Sequence, residues 1–440
     1  MNESKSLLDR IATDDFAGYA YAYPHKTSYR PLQPSVDLQK AWKHENKDSV
    51  FLYVHLPFCE MRCGFCNLFT TVQPPIELVA KTLDAIERQS RASQQAIGAR
   101  GISQIAFGGG TPSFLNCEEL HQLFEGLCDI WPINWKDSPI SFETSPGTID
   151  AAKIQLLRGY HVDRISMGIQ SFVEVDLKGL GRPQRSDEVE KAIALIQSSD
   201  FPVFNIDLIY GSQGQTLDSW RYTVDEVISI HPEEIYLYPL YVRELTGLRQ
   251  TGNEPSRRRR EMYLSARDAL LDSGYEQCSM RLFRSSGVAF ETEHRCQEDG
   301  MIGLGPGARS YTKSLHYSSE YAVGQSGVRK IISTFNSLPS QAFRFTDYGV
   351  FLNDEEQRRR YLIKSLLQSS GLDLAKYEAW FSTRVMDDFP QLHELMDLDL
   401  GRIKEQHLVL KAEGLALSDV IGPWLYSPAV TSRMDGFELV

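Results

Sequence analysis

Six short runs rich in β-branched and aromatic residues recur through the first two thirds of the chain, and helical patterns separate them. The runs cover 50–56, 104–107, 140–143, 164–169, 203–209 and 234–238, and the helical stretches cover 76–97, 118–129, 150–158, 187–197 and 216–229. Alternating strands and helices require right-handed crossovers, which build a parallel sheet. Six units fall short of a closed eightfold barrel. The sequence therefore predicts an α/β fold with an open, partial (β/α)6 barrel of the TIM type, whose chemistry lies at the carboxyl ends of its strands.

The segments on either side of this pattern differ from it. Aromatic residues spaced between Tyr19 and Tyr23, followed by prolines, predict an extended N-terminal strap over the barrel. We expect the strap over 1–47, the barrel over 48–285, a connecting glycine-rich segment over 286–345 and a small, mainly helical C-terminal domain over 346–440. In that last domain the pattern predicts helices over 354–367, 374–381 and 401–413 and a short strand over 424–426.

Composition excludes several classes of protein. With 440 residues, of which 42% are hydrophobic and 24% charged, the chain has room for one barrel and a smaller domain. Its polar start and the lack of any run of about 18 apolar residues predict a cytoplasmic protein without a membrane span. A net charge of −12 disfavours a nucleic-acid partner. The basic runs 257–260 and 358–360 are expected to be solvated helix faces.

Three of the seven cysteines, Cys59, Cys63 and Cys66, fall within eight positions directly after the first predicted strand. Thiolates are suited to iron, and three ligands on one loop can hold three corners of a [4Fe–4S] cubane, which leaves its fourth iron open. A zinc knuckle is the alternative, but it needs a fourth ligand, and the nearest histidine, His55, lies in the strand. The other cysteines have no common spacing and are assigned to packing: Cys117, Cys128, Cys278 and Cys296.

Polar residues and glycines then fall at or beside the ends of the later predicted strands. The segment Gly108–Pro112 reads Gly-Gly-Gly-Thr-Pro, whose glycines allow a ligand to approach the backbone and whose N–H groups can meet a carboxylate. Four polar residues then fall at or beside the carboxyl ends of successive strands: Glu143, Gln170, Arg182 and Asp207. Each of them singly could also be a buried hydrogen-bonding or capping residue.

The cysteine motif, with Phe65 before its third cysteine, and the following Gly-Gly-Thr-Pro resemble the radical S-adenosylmethionine (SAM) superfamily. The order of the strand-end residues resembles the branch that contains oxygen-independent coproporphyrinogen III oxidase and its paralogue, the haem chaperone. This resemblance implies contacts to the cluster-bound SAM from Tyr53, Gly109, Gly110, Thr111 and Glu143. It implies contacts to a second SAM molecule from Phe65, Gln170, Arg182 and Asp207.

The chain also departs from both members of that branch. Leu68 stands where the oxidase has a further cysteine, although Tyr23-Pro24 resembles the oxidase's N-terminus. The glycine-rich segment 303–311 resembles that of the chaperone. The chaperone's haem motif is replaced by His294-Arg-Cys-Gln297, which leaves haem ligation by His294 or Cys296 as an alternative to packing or surface roles.

The resemblance implies a radical SAM oxidoreductase that binds one SAM molecule or two. Its [4Fe–4S] cluster would cleave a SAM molecule to a 5′-deoxyadenosyl radical. No side chain is assigned as catalytic in its own right, because the cofactor carries the chemistry. The implied partners are a small-molecule substrate, a tetrapyrrole or another carboxylate-bearing compound, and an electron donor such as flavodoxin or ferredoxin. Two alternatives stay open: a haem- or tetrapyrrole-binding chaperone that retains the cluster, and a radical SAM methyltransferase of the haem-degrading type.

Overall fold

The computed structural model describes residues 6–243, 245–248, 255–288 and 298–438. Within these ranges the central feature is one sheet of 13 strands, whose middle six are parallel and follow one another in chain order. These first to sixth barrel strands are Val50–Leu56, Ile102–Gly109, Ile140–Thr144, Arg164–Gln170, Val203–Tyr210 and Glu234–Pro239. The sheet does not close on itself. The predicted partial barrel is therefore confirmed.

Crossover helices cover the outer face of the six strands. They are Ile76–Ile97, Cys117–Ile130, Ala151–Gly159, Ser186–Gln197 and Leu217–Ile230, and the helix Ser256–Asp272 follows the sixth strand. Asn116 and Thr216 begin two of these helices with capping boxes, which satisfy backbone N–H groups that the first turn leaves free. Apolar faces pack on the sheet: the Phe124 ring lies 4.7 Å from the Phe107 ring, and both side chains are buried. Burying one such ring contributes roughly 1.5–3 kcal/mol.

The sheet continues beyond both edges of the barrel. At the sixth-strand edge it adds Leu282–Ser285 and Tyr275–Gln277, both antiparallel to their neighbours. At the first-strand edge Met301–Leu304 pairs in parallel with the first barrel strand, and four antiparallel strands follow: Arg309–Tyr311, Leu315–Ser318, Phe345–Phe351 and Arg30–Asp37. Sheet pairing therefore brings parts of the predicted strap and connecting segment beside the first barrel strand.

The strap crosses the carboxyl ends of the fifth and sixth barrel strands. The Phe16 ring lies 6.2 Å from the Tyr210 ring, and the Tyr19 ring lies 6.3 Å from the Tyr238 ring. The strap contains the short helices Leu7–Ile11 and Leu38–Ala41 and the 3-10 turn Lys26–Ser28. Its predicted position over the barrel is confirmed by these contacts.

The last part of the chain has an apolar core separate from that of the barrel, and Leu7, Ala20 and Tyr23 of the strap contribute to it. Its helices are Asp354–Leu366, Leu374–Phe381, Val385–Asp388, His393–Asp397, Ala412–Ala416, Ser418–Trp424 and Pro428–Asp435. The predicted helix over 401–413 is wrong, because Gly401–Lys404 and His407–Leu410 form a hairpin whose turn residues Glu405 and Gln406 have positive φ. The predicted strand over 424–426 is also wrong, since Trp424 ends a helix.

The basic runs are not simply solvated helix faces. Arg259 is 5% exposed, lies over the Phe16 ring and pairs with Asp14 of the strap at 3.5 Å. Arg360 is 6% exposed, and Arg359 donates to the carbonyl of Leu425. That prediction was wrong for these residues, because the strap and C-terminal helices cover them. No helix in the described ranges is both long and apolar enough to cross a bilayer.

Candidate active site

The cysteine loop begins where the first barrel strand ends, and two segments from other strand ends hold it. Thr111, after the second strand, places its hydroxyl 3.7 Å from the Cys59 sulfur. Arg182, beyond the fourth strand, donates from Nη1 to the Cys63 sulfur at 3.1 Å. At Gly64 any Cβ would meet the Leu180 carbonyl oxygen at 2.9 Å, so the loop packs closely on the segment that carries Arg182. The three predicted cluster ligands are therefore brought to the barrel mouth.

Burial raises the pKa of two of these thiols. It raises the pKa of the Cys59 thiol to about 12 and also raises the pKa of Cys66, and each pKa is raised further by the charge of neighbouring triad cysteines. Metal binding must therefore displace protons from the loop. Among the described residues no three His, Cys, Asp or Glu side chains converge on one point as ligands of a single ion would. Cubane ligands each bind a different iron, so a cluster does not require that convergence.

The glycine segment after the second strand is held in place by hydrogen bonds that its own amide groups donate. The N–H of Gly109 donates to Glu143 Oε2 at 3.2 Å, that of Gly110 donates to the Leu56 carbonyl, and that of Thr111 donates to the Phe58 carbonyl. These three N–H groups already have acceptors within the protein, so a ligand carboxylate would have to displace one of those acceptors to reach them. Gly109 has φ +113°, and a Cβ there would lie 2.6 Å from the His55 ring. Only glycine fits this turn without strain.

Glu143 is the acidic group nearest this turn. Its side chain keeps access to solvent, although the surrounding protein partly desolvates its carboxylate. Burial, and then the charge of Asp207, raise the pKa of Glu143 to about 7. Burial also raises the pKa of Asp207, whose Oδ1 accepts from Asn205 Nδ2 at 2.8 Å. The two predicted carboxylates are therefore close enough for one charge to affect the other, and both favour a ligand that offers hydrogen-bond donors or positive charge.

Tyr53 and His55 connect the first strand to the cysteine loop. His55 Nε2 donates to the Phe69 carbonyl at 3.0 Å, and burial lowers the pKa of His55 to about 4. The neutral ring therefore presents Nδ1 as an acceptor to the Tyr53 hydroxyl, 3.2 Å away. His55 is not oriented toward the thiols, which agrees with its assignment to the strand rather than to a zinc site.

The remaining predicted SAM contacts lie around the same mouth. Gln170 is buried at φ +73°, and its Oε1 meets no hydrogen-bond donor in the described part of the chain. Arg182 donates to the Gly168 carbonyl and Gln184 as well as to Cys63, so it fixes the loop. Phe65 packs with apolar residues at the ends of the fifth and sixth strands. His294 and Cys296, considered for haem, lie outside the described residues.

Sequence reasoning missed three cations at this mouth: Lys26 of the strap, Arg243 after the sixth strand, and Arg309. The only sequence signals were the Tyr-Pro-His that precedes Lys26 and the glycine-rich segment that contains Arg309.

The residues present fit a cluster and SAM. Three thiols lie on one loop, which is the donor set of a cubane with one open iron. Gln170 Oε1 and Asn205 Oδ1 are buried acceptors without donors among the described residues, and Glu143 adds a third acceptor. Such acceptors suit the ammonium and ribose hydroxyl groups of SAM.

Comparison with known proteins supports this description. A family model described as the radical SAM superfamily matches residues 53–227, and one described as the HemN C-terminal domain matches residues 352–417. The oxygen-independent coproporphyrinogen III oxidase of Escherichia coli is 26% identical over 91% of this chain and 91% of that protein. Heme chaperone HemW of Bacillus subtilis is 25% identical over 85% of this chain and 98% of that protein. The solved E. coli oxidase, HemN, has the same fold, with a TM-score of 0.79 and 22% identity over 96% of this chain and 99% of that one.

The fold, the cysteine loop and the family match together identify residues 53–227 as a radical SAM domain. Residues 352–417 match the HemN C-terminal domain, and the chain as a whole is similar to HemW and to the oxygen-independent coproporphyrinogen III oxidase.

Proposed function

We propose that the chain is a radical SAM oxidoreductase that binds a [4Fe–4S] cluster through Cys59, Cys63 and Cys66. The observation that carries the proposal is the position of the cysteine loop at the barrel mouth, where Thr111 and Arg182 reach its sulfur atoms from different strand ends. When bound, the cluster supplies the electron that cleaves SAM to methionine and a 5′-deoxyadenosyl radical, which takes a hydrogen atom from the substrate.

The side chains of the mouth then have separable roles. The cluster-bound SAM would be held by Tyr53, Gly109, Gly110, Thr111 and Glu143, and a second SAM by Phe65, Gln170, Arg182 and Asp207. The Arg182 guanidinium would stabilise negative charge on the Cys63 sulfur, since hydrogen bonds to cluster sulfurs set reduction potentials. The strap would limit the access of water to the mouth. A flavodoxin or ferredoxin would supply the electron.

The test is anaerobic reconstitution followed by reduction with dithionite. We expect about four iron and four sulfide per chain and slow release of 5′-deoxyadenosine, measured by liquid chromatography with mass detection. Alanine at any cysteine of the triad should abolish both, whereas Cys117→Ala, outside the triad, should retain both. A full cluster in a triad variant, or no 5′-deoxyadenosine from a fully loaded protein, would contradict the proposal.

A haem- or tetrapyrrole-binding chaperone is the second candidate, favoured by the match to HemW over 98% of that protein's length. It predicts stoichiometric haem uptake with a Soret band and no substrate-dependent consumption of SAM. A methyltransferase of the haem-degrading type predicts instead a product that gains a methyl group. Mass spectra of the product separate this reaction from oxidation.

A further inference from the structure

A buried carboxylate lies behind the segment that reaches the cysteine loop. Asp176 is 2% exposed and belongs to the short helix Glu174–Gly179, which follows the fourth barrel strand. Ser171 Oγ and Gln215 Nε2 donate to its Oδ2 at 3.2 and 3.1 Å, and Ser219 Oγ donates to its Oδ1 at 3.1 Å. Within the described ranges no cation pairs with this carboxylate. It is therefore satisfied by neutral donors.

The three donors come from different elements of the barrel mouth. Ser171 directly follows the fourth strand, Gln215 belongs to the loop after the fifth strand, and Ser219 lies in the first turn of the helix Leu217–Ile230. The side-chain oxygen of Gln215 also accepts from the Gly211 N–H at 2.7 Å. The buried carboxylate therefore fastens its short helix to the ends of two barrel strands.

The same short helix leads directly into the residues that hold the cysteine loop. The N–H of Arg182 donates to the Leu177 carbonyl of that helix at 2.9 Å. The neighbouring Gly181 carbonyl accepts from the Gly64 N–H at 3.0 Å. Arg182 Nη1 then reaches the Cys63 sulfur at 3.1 Å. The position of the helix therefore fixes where the guanidinium lies relative to the loop.

Hydrogen bonds to Asp176 fix direction as well as distance. A buried carboxylate costs free energy unless its oxygens accept hydrogen bonds, and this one accepts three. A satisfied polar network rigidifies the elements that it joins and specifies one arrangement of them. Apolar side chains of similar size would fill the same space without selecting one rotation of the helix. The network is therefore suited to holding the segment 180–182 in one position.

We propose that Asp176 is a positioning residue for the cysteine loop. By fixing the helix Glu174–Gly179, it holds the Arg182 guanidinium on the Cys63 sulfur and thereby sets the reduction potential of the cluster, since hydrogen bonds to cluster sulfurs tune that potential. This inference rests on the proposed function, because it assigns a role toward the cluster of the same site. Asp176 acts through Arg182.

The test is a redox titration of the cluster-loaded protein, monitored by electron paramagnetic resonance. Asp176→Leu removes all three hydrogen bonds and should shift the potential to more negative values, in the same direction as Arg182→Met. Asp176→Asn removes the charge but keeps the shape, and its amide oxygen can still accept from Ser171 and Gln215. Its amide NH2 group can donate to the Ser219 hydroxyl. Asp176→Asn should therefore retain the potential.

The sign of the shift separates positioning from direct electrostatics. Loss of the Arg182 contact removes positive charge from the cluster, which disfavours its reduction. Loss of the Asp176 charge acting directly on the cluster would instead favour reduction, equally in Asp176→Leu and Asp176→Asn. In the Arg182→Met background, Asp176→Leu should cause no further shift, because the contact through which Asp176 acts is already absent.

Asp163→Leu is the matched control. It removes a half-buried carboxylate that accepts from the Ile140 N–H at 2.8 Å, at the amino ends of the third and fourth strands, and should leave the potential unchanged. If Asp176→Leu does not fold, Ser219→Ala removes one of the three hydrogen bonds and should give a smaller shift of the same sign. Iron content should be unchanged in every folded variant.

An unchanged or more positive potential in Asp176→Leu would overturn the inference, as would the same shift in Asp176→Asn or a further shift in the Arg182→Met background. The cluster-free protein provides a second readout. Hydrogen exchange of the Gly64 N–H should be about tenfold faster in Asp176→Leu and unchanged in Asp163→Leu, and equal rates in the two would also overturn the inference. If the unsubstituted protein takes up no cluster, the proposed function fails, whereas this exchange rate still tests the positioning role.

Discussion

Replacing Arg281 by methionine should destabilise the protein far more than replacing an exposed arginine. Arg281 Nη2 donates to both carboxylate oxygens of Asp419 at 2.7 Å, and the two side chains are 5% and 1% exposed. Tyr241 donates to the same carboxylate, and the Tyr19 ring lies 3.7 Å from the guanidinium. This ion pair therefore joins the barrel, the strap and the C-terminal helices.

The magnitude follows from the burial of the pair. Arg281→Met leaves the Asp419 carboxylate buried with only the Tyr241 hydroxyl among these partners, and such a break costs about 3–5 kcal/mol. Arg100→Met removes a pair whose side chains are 65% and 64% exposed, and should cost about 0–1 kcal/mol. With a urea slope near the upper end of about 1–3 kcal/mol/M, the unfolding midpoint of Arg281→Met should fall by about 1 M or more.

The assay is urea unfolding followed by far-ultraviolet circular dichroism, for both variants and for Arg281→Met/Asp419→Asn. The double variant should recover part of the loss, because it no longer buries an uncompensated charge. Equal midpoints for Arg281→Met and Arg100→Met would refute the reasoning. A double variant less stable than Arg281→Met would show that packing, rather than charge, dominates at this contact.

Three further predictions concern the barrel mouth. Gly109→Val should weaken SAM binding but retain the cluster, because the valine Cβ would meet His55 and a φ of +113° imposes strain of about 1–3 kcal/mol. Unchanged SAM affinity in equilibrium dialysis would contradict this prediction. Arg182→Met should make the reduction potential of the cluster more negative, because the reduced cluster loses a cation that lies 3.1 Å from the Cys63 sulfur. The potential is measured in a redox titration monitored by electron paramagnetic resonance, and a shift to a more positive potential would contradict the prediction. The pKa of Glu143 rises from 4.5 to about 7 on folding, so its contribution to the stability of cofactor-free protein should be complete below pH 4.5 and be lost as the pH rises through 7. Glu143→Gln should flatten that part of the pH profile of the urea midpoint, and an unchanged slope would count against the assignment.

The sequence alone was sufficient for features carried by contiguous residues. The six barrel strands and their crossover helices follow from local periodicity, and the first strand and the helix Ile76–Ile97 have the predicted bounds. The cysteine loop and the glycine turn are likewise short segments, so their spacing in sequence limits their geometry in space. Their positions at successive strand ends follow from the parallel sheet.

Local propensity failed where tertiary packing overrides it. The segment 401–413 contains good helix formers, yet burial of Leu408 and Leu410 against the C-terminal core favours a hairpin. Arg259 resembles any other residue in a basic run, and only its contact with the strap shows that it is buried.

The contact between the strap and the strands added beside the barrel was decided by the tertiary structure alone. Tyr21 and Arg309 are separated by the whole barrel sequence, and pairing of added strands beside the first barrel strand brings Arg309 under the strap. No local pattern encodes this meeting, because it depends on which edges of the sheet remain free to pair once the barrel has formed. The sequence thus determined where the cluster and SAM are expected to bind, whereas packing between distant segments determined which side chains, such as Arg309 and Tyr21, meet beside the strap.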